Sequence, residues 1–122
     1  YYPVLTGVLT GDDAKRRMAG GWDTFVMEGH GIRCVSDEPW VTASETAECA
    51  LAYAAMGDTS TATDLLRWTR THRRDDGSYW TGIVYPEKIL FPFDEHPSYT
   101  AAAVILAVDA ITRTTQASNL FV

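Results

Sequence analysis

The sequence lacks a long apolar run. The longest, Ala101 to Val108, is eight residues, under half of the roughly 18 that a membrane-crossing helix needs. No integral membrane segment is expected. Basic residues are also scarce: 10 Lys and Arg face 16 Asp and Glu, for a net charge of −6. Without a basic block the chain lacks the electrostatic footprint of a nucleic-acid binder. Cysteine is nearly absent, with Cys34 and Cys49 alone. No basic, then apolar, leader precedes them, so both are read as free thiols and the chain as cytoplasmic. An initiating Met is missing as well. The opening Tyr1-Tyr2-Pro3-Val4-Leu5 reads like the middle of a helix. The expectation is a single domain over 1–122, forming the C-terminal portion of a longer protein.

What is present is the balance of a folded chain: 46% hydrophobic, 21% charged and 11% aromatic residues. Helical periodicity predicts segments near 12–27, 42–56, 59–72 and 98–113, after a short apolar stretch from Tyr2 to Thr10. They alternate in character. The first carries Lys15, Arg16, Arg17 and Asp23 on one face and Met18, Trp22, Phe25 and Val26 on the other. The third places Leu65, Leu66 and Trp68 inside, with Asp64, Arg67 and Arg70 outside. The second and fourth are apolar nearly all round, apart from Glu45 and Glu48 in one and Asp109 in the other.

The alternation coincides with an internal repeat. Gly11-Asp12 recurs as Gly57-Asp58, Trp22 as Trp68 and Gly31 as Gly77, while Thr42-Ala43 recurs later as Thr100-Ala101. A helix with one wet face suits an outer layer, and one apolar on both faces must be covered on both. The expected fold is therefore all-α: a curved α/α hairpin array, a partial α/α toroid, with one aromatic β-hairpin-like loop. A plain antiparallel bundle is the simpler alternative. The toroid needs the remainder of its own chain, or self-association, to cover the inner helices.

Two stretches carry a family resemblance. Arg70 to Trp80 (RTHRRDDGSYW) resembles the Asp-Gly-Ser-Trp segment that joins helices in terpene cyclases and protein prenyltransferases. The wider run includes Trp40 to Cys49 (WVTASETAEC) and Tyr99 to Val104 (YTAAAV). It resembles the C-terminal part of actinobacterial prenyltransferase-like proteins of that α/α-toroid superfamily. The resemblance implies a transferase-like segment that handles an isoprenoid or similar apolar ligand. The motifs that carry the chemistry there depart from it. Three aspartates within four positions do not occur, and Ser98-Tyr99 stands where a zinc-binding histidine would be.

The candidate site residues follow from chemistry. Glu45, Glu48 and Cys49 fall at i, i+3 and i+4 on one helix face. Two carboxylates on an apolar helix suit a general acid and base if that face lines a cavity, and otherwise mark a solvated helix start. Asp75 and Asp76 read as a turn or as a diphosphate site. Residues 78–93 alternate β-like runs around Pro86-Glu87-Lys88, predicting a flap. Tyr79, Trp80 and Tyr85, with Trp40, would give it aromatic walls for carbocations or sugars. Asp94-Glu95-His96 is the nearest approach to a metal set, and no recognised ligand spacing occurs, so no metal is assigned. The cofactor is unknown. A small-molecule ligand is the expected partner. Three functions stay open: isoprenoid chemistry, a six-hairpin-type carbohydrate-active enzyme resembling glycosidases, and a non-catalytic helical scaffold.

Overall fold

The computed structural model describes residues 1–121. Five α-helices occur: α1 (Tyr2–Leu5), α2 (Gly11–Phe25), α3 (Ala43–Ala55), α4 (Thr59–Trp68) and α5 (Ser98–Thr112). Five short strands lie between them: β1 (Val26–Met27), β2 (Gly31–Arg33), β3 (Trp40–Thr42), β4 (Gly82–Val84) and β5 (Ile89–Phe91). Two 3₁₀ turns, Thr69–His72 and Gln116–Leu120, follow α4 and α5.

The strands pair antiparallel in the order β1-β2-β3-β4-β5. This corrects the all-α expectation. The fold is α+β, and the segments between helices form one sheet rather than the loops of a curved α/α toroid. Each strand has only two or three residues, too few for an alternating pattern to stand out. Residues 82–91 do form a hairpin, but β4 pairs with β3, so the segment extends the sheet.

Helix boundaries follow local chemistry. Thr10 is the N-cap of α2, and Asp12 and Asp13 sit in its first turn, where negative charge suits the helix dipole. The helix stops at Phe25, two residues before the expected end, because Val26 and Met27 pair with Ile32 and Gly31. Asp58 caps α4 by accepting from the Thr61 amide at 3.1 Å. Beyond Trp68 the helical span tightens into the 3₁₀ turn.

α3 is the hub of the core. It packs on α4, α5, α1 and β2. Ala43, Ala47 and Ala50 are fully buried, and their small side chains let α3 approach its neighbours closely. One buried cluster joins α3 to Leu65 of α4 and to Val104 and Ala107 of α5. A second, of Val41, Ile83 and Tyr85, lies on the sheet. A hydroxyl fixes the sheet to the helix: Thr46 Oγ1 accepts from the Ile32 amide at 2.9 Å and donates to the Thr42 carbonyl at 2.6 Å. Gly31, at φ 137°, passes directly over it. α5 is covered on one side only. Ile105 is 67% exposed, and Leu106 and Val108 are exposed beside it. No helix among the described residues is long and apolar enough to cross a membrane.

Candidate functional site

From Val41 to Tyr53 every residue is buried except Glu45 and Glu48, which are half-buried. These two acids are the windows of an otherwise sealed helix. Glu45 opens at a cleft of about 430 Å³ between α1, α2, the β1–β2 edge and α3, and Glu48 meets two residues of its wall, Tyr1 and Tyr2. Glu45, Cys49 and Tyr53 line it at i, i+4 and i+8, one stripe along α3.

The walls are aromatic. Tyr1 and Tyr2 come from the start of the chain, Trp22 and Phe25 from α2, and Tyr53 from α3. Trp22 meets Tyr53 edge to face, with centroids 5.9 Å apart. Tyr1 and Tyr2 lie 4.7 Å apart, and both hydroxyls donate to Oε2 of Glu48 at 2.8 Å. Glu45 Oε2 accepts from Ser44 Oγ at 2.8 Å.

These contacts and the burial around them shift the neighbouring ionisable groups. Burial, then hydrogen bonding to Glu48, pushes the Tyr1 phenol far above its ordinary range. For the Tyr2 phenol the hydrogen bond to Glu48 comes first, and it too is raised. Burial, followed by the charge of Glu45, raises the Cys34 thiol. Burial pushes Cys49 up to about 12, and likewise Tyr53 to about 12. Both cysteines are free thiols, and neither environment activates a nucleophilic thiolate. Arg33 also lines the cleft, yet among the described residues it forms no ion pair with Glu45.

The structure does not bring the other candidate residues to this cleft. Trp40 stacks on Phe91 at 4.8 Å on the sheet. Tyr85 is buried in the sheet cluster, with its ring 4.1 Å from His30. Trp80 donates from Nε1 to Asp94 at 2.7 Å. Tyr79 lines a groove beside α5. Asp75 is exposed. Asp76 accepts from both the amide and the hydroxyl of Ser78 and pairs with Arg74 at 3.2 Å. Those two Ser78 bonds hold its carboxyl below the usual carboxylate range, as a capped turn does. Among the described residues no three His, Cys, Asp or Glu side chains gather as a metal set.

Sequence reading missed the cleft's own aromatic walls. It assigned Trp22 and Phe25 to the buried face of α2 and stopped the α3 stripe at Cys49. Extending that stripe by one further turn reaches Tyr53. The contribution of Tyr1 and Tyr2 carried no local signal, because they meet Glu48 across more than 40 intervening residues.

Comparison with known proteins bears on the chemistries left open.

The chain resembles a mannosidase.

It is 47% identical over 121 residues to the MMP endo-(1,4)-3-O-methyl-alpha-D-mannosidase of Mycolicibacterium hassiacum. The match covers 99% of this chain and 33% of that enzyme, so the chain spans about a third of its curated relative. No family model matches. The similarity overturns the expected kinship with terpene cyclases and protein prenyltransferases, and with it the isoprenoid function. The Asp-Gly-Ser-Trp-like stretch that suggested it is a solvent-facing turn, and such turns recur in unrelated proteins. The carbohydrate-active alternative fits better.

Proposed function

We propose that this chain forms the substrate cleft of a glycoside hydrolase acting on (1→4)-linked, O-methylated α-mannan, with Glu45 and Glu48 as its carboxylate pair. The observation that carries the reading is the placement of those two half-buried acids. They are the only breaks in the buried stretch from Val41 to Tyr53; Glu45 lines a cleft walled by aromatic rings, and Glu48 accepts from the hydroxyls of two of those rings, Tyr1 and Tyr2. Glycosidic bonds are cleaved by such pairs: one carboxyl protonates the leaving oxygen, while the other attacks the anomeric carbon or activates water. Ring faces suit the apolar faces of a sugar and the methyl groups of its ethers. The relative's printed activity, at 47% identity, supports this substrate class.

The same reading covers the partners. The ligand is a small oligosaccharide. The acidic chain binds no nucleic acid. The exposed apolar face of α5, around Ile105 and Leu106, packs against the remainder of a longer chain or against a second copy. Two free thiols suit the reducing cytoplasm.

The test is incubation of the chain with a 3-O-methylated (1→4)-α-mannan oligosaccharide, with products read by mass spectrometry. Shorter methylated oligosaccharides are expected, and unmethylated (1→4)-α-mannan should be cut more slowly. Absence of any cleavage or binding would contradict the reading.

A further inference from the structure

Large side chains line most of the cleft, and one stretch of α2 is the exception. The stripe that α2 turns to the cleft runs Arg17, Gly20-Gly21 and Thr24, at i, i+3 and i+4, and i+7 on one helix face. The middle of that stripe carries no side chains. Met18, Trp22 and Phe25 line the cleft beside it.

Two adjacent glycines inside a helix oppose its formation. Both lie well within Gly11–Phe25, where every residue but proline is better tolerated. The usual reasons for glycine do not apply to them. They cap neither end of α2, and neither has a positive φ. No neighbour in the fold crowds them. A Cβ on Gly20 would meet nothing within 4 Å, and one on Gly21 would meet only Phe25 Cδ2, at 3.7 Å, an ordinary contact. The room they leave opens into the cleft.

The notch has a definite chemistry. Its floor is helix backbone, whose amides and carbonyls bond within α2, so it offers a ligand no free amide. Its flank is the edge of the Phe25 ring. A hydroxyl pressed into such a place would lose its water without a replacement partner, whereas a methyl group loses nothing. Arg17, one turn away on the same stripe, is exposed and forms no ion pair among the described residues. Its guanidinium is free to donate to oxygens at the rim of the notch.

We propose, resting on the glycosidase reading of the cleft, that Gly20 and Gly21 are specificity-determining residues. The notch they leave receives an O-methyl group of the mannan chain against Phe25, while Arg17 binds oxygens of the same sugar. Preference for the methylated ligand then resides in two missing side chains.

The experiment is calorimetric titration of the full 122-residue chain and of Gly20→Ala, Gly21→Ala and the double variant. The ligands are a 3-O-methylated (1→4)-α-mannan oligosaccharide and its unmethylated counterpart of equal length. The double variant is expected to bind the methylated ligand about 10-fold more weakly or worse, the scale set by one misplaced methyl group, and the unmethylated ligand within about threefold of wild type. Its urea midpoint should rise, because alanine favours helix at both positions, so weaker binding cannot come from unfolding. Equal losses for the two ligands, unchanged affinity for both, or a wild-type chain that does not prefer the methylated one would overturn the inference alone. If the double variant does not fold, Gly20→Ala decides by the same criterion, because nothing lies within 4 Å of its added carbon. A wild-type chain that binds neither ligand would overturn the glycosidase reading and this inference with it.

Discussion

The indole of Trp22 meets the ring of Tyr53 edge to face, at 85° and 5.9 Å. This contact joins α2 to the buried helix α3 and forms the floor of the cleft beside Cys49 and Glu45. An edge-to-face pair contributes about 0.5–1.5 kcal/mol beyond the area it buries, so the floor is more rigid than a wall of isolated side chains. It presents ring surface where a sugar would lie.

Trp22 is expected to matter for ligand binding far more than Trp40 does. Trp22→Ala should weaken oligosaccharide binding about tenfold or more by removing its ring surface. Trp40→Phe, on the sheet beside Phe91, should leave affinity within about twofold. Calorimetric titration of both variants checks this. The reverse order would move the binding surface from the cleft to the sheet.

Glu45→Gln keeps the size of the side chain and removes its proton-donating carboxyl. Turnover should fall about 10²- to 10⁴-fold, while oligosaccharide affinity stays within about threefold. Single-turnover kinetics alongside equilibrium binding separate the two. Unchanged turnover would remove Glu45 from catalysis.

Gly31 supports the site from behind. Its φ is 137°, and a Cβ there would sit 2.5 Å from Thr46 Oγ1 and 2.8 Å from Val41 Cγ1. Gly31→Ala must both strain the backbone and displace the hydroxyl that ties β2 to α3. A loss of about 2–4 kcal/mol is expected in urea denaturation. A loss below about 1 kcal/mol would show that the strand adapts freely.

His72 makes stability depend on pH. It is fully buried, its Nε2 lies 3.3 Å from the Val41 carbonyl, and burial pushes its pKa below the ordinary value. The unfolded chain therefore binds a proton that the folded chain resists. This contribution is complete above about pH 6.5 and is lost as pH falls below that toward the lowered folded value. Urea midpoints at pH 7.5 and 5 should drop more for wild type than for His72→Gln. Equal drops would contradict the assignment.

Helix content was legible in the sequence because periodicity over 10 or more residues leaves a clear signal. Glu45 and Glu48 were legible for a related reason, as charges on an apolar helix demand an opening. The sheet was legible only at its β4–β5 hairpin, from the β-like runs in 78–93, since strands of two or three residues leave too short a pattern elsewhere. Trp40-Val41-Thr42, just ahead of the helix expected from 42, forms the central strand of the sheet. Rings at 78–93 are conspicuous along the chain. Those beside Glu45 come from three separate elements and meet only in space.

In the glycosidase reading the oligosaccharide lies in the cleft between α1, α2 and α3. Titration of the ¹⁵N-labelled chain with a 3-O-methylated (1→4)-α-mannan oligosaccharide, followed by amide chemical shifts, tests it most directly. The largest shifts are expected at 1–2, 21–25, 32–34 and 45–53. Shifts confined to residues 78–93, or none at saturating ligand, would contradict it.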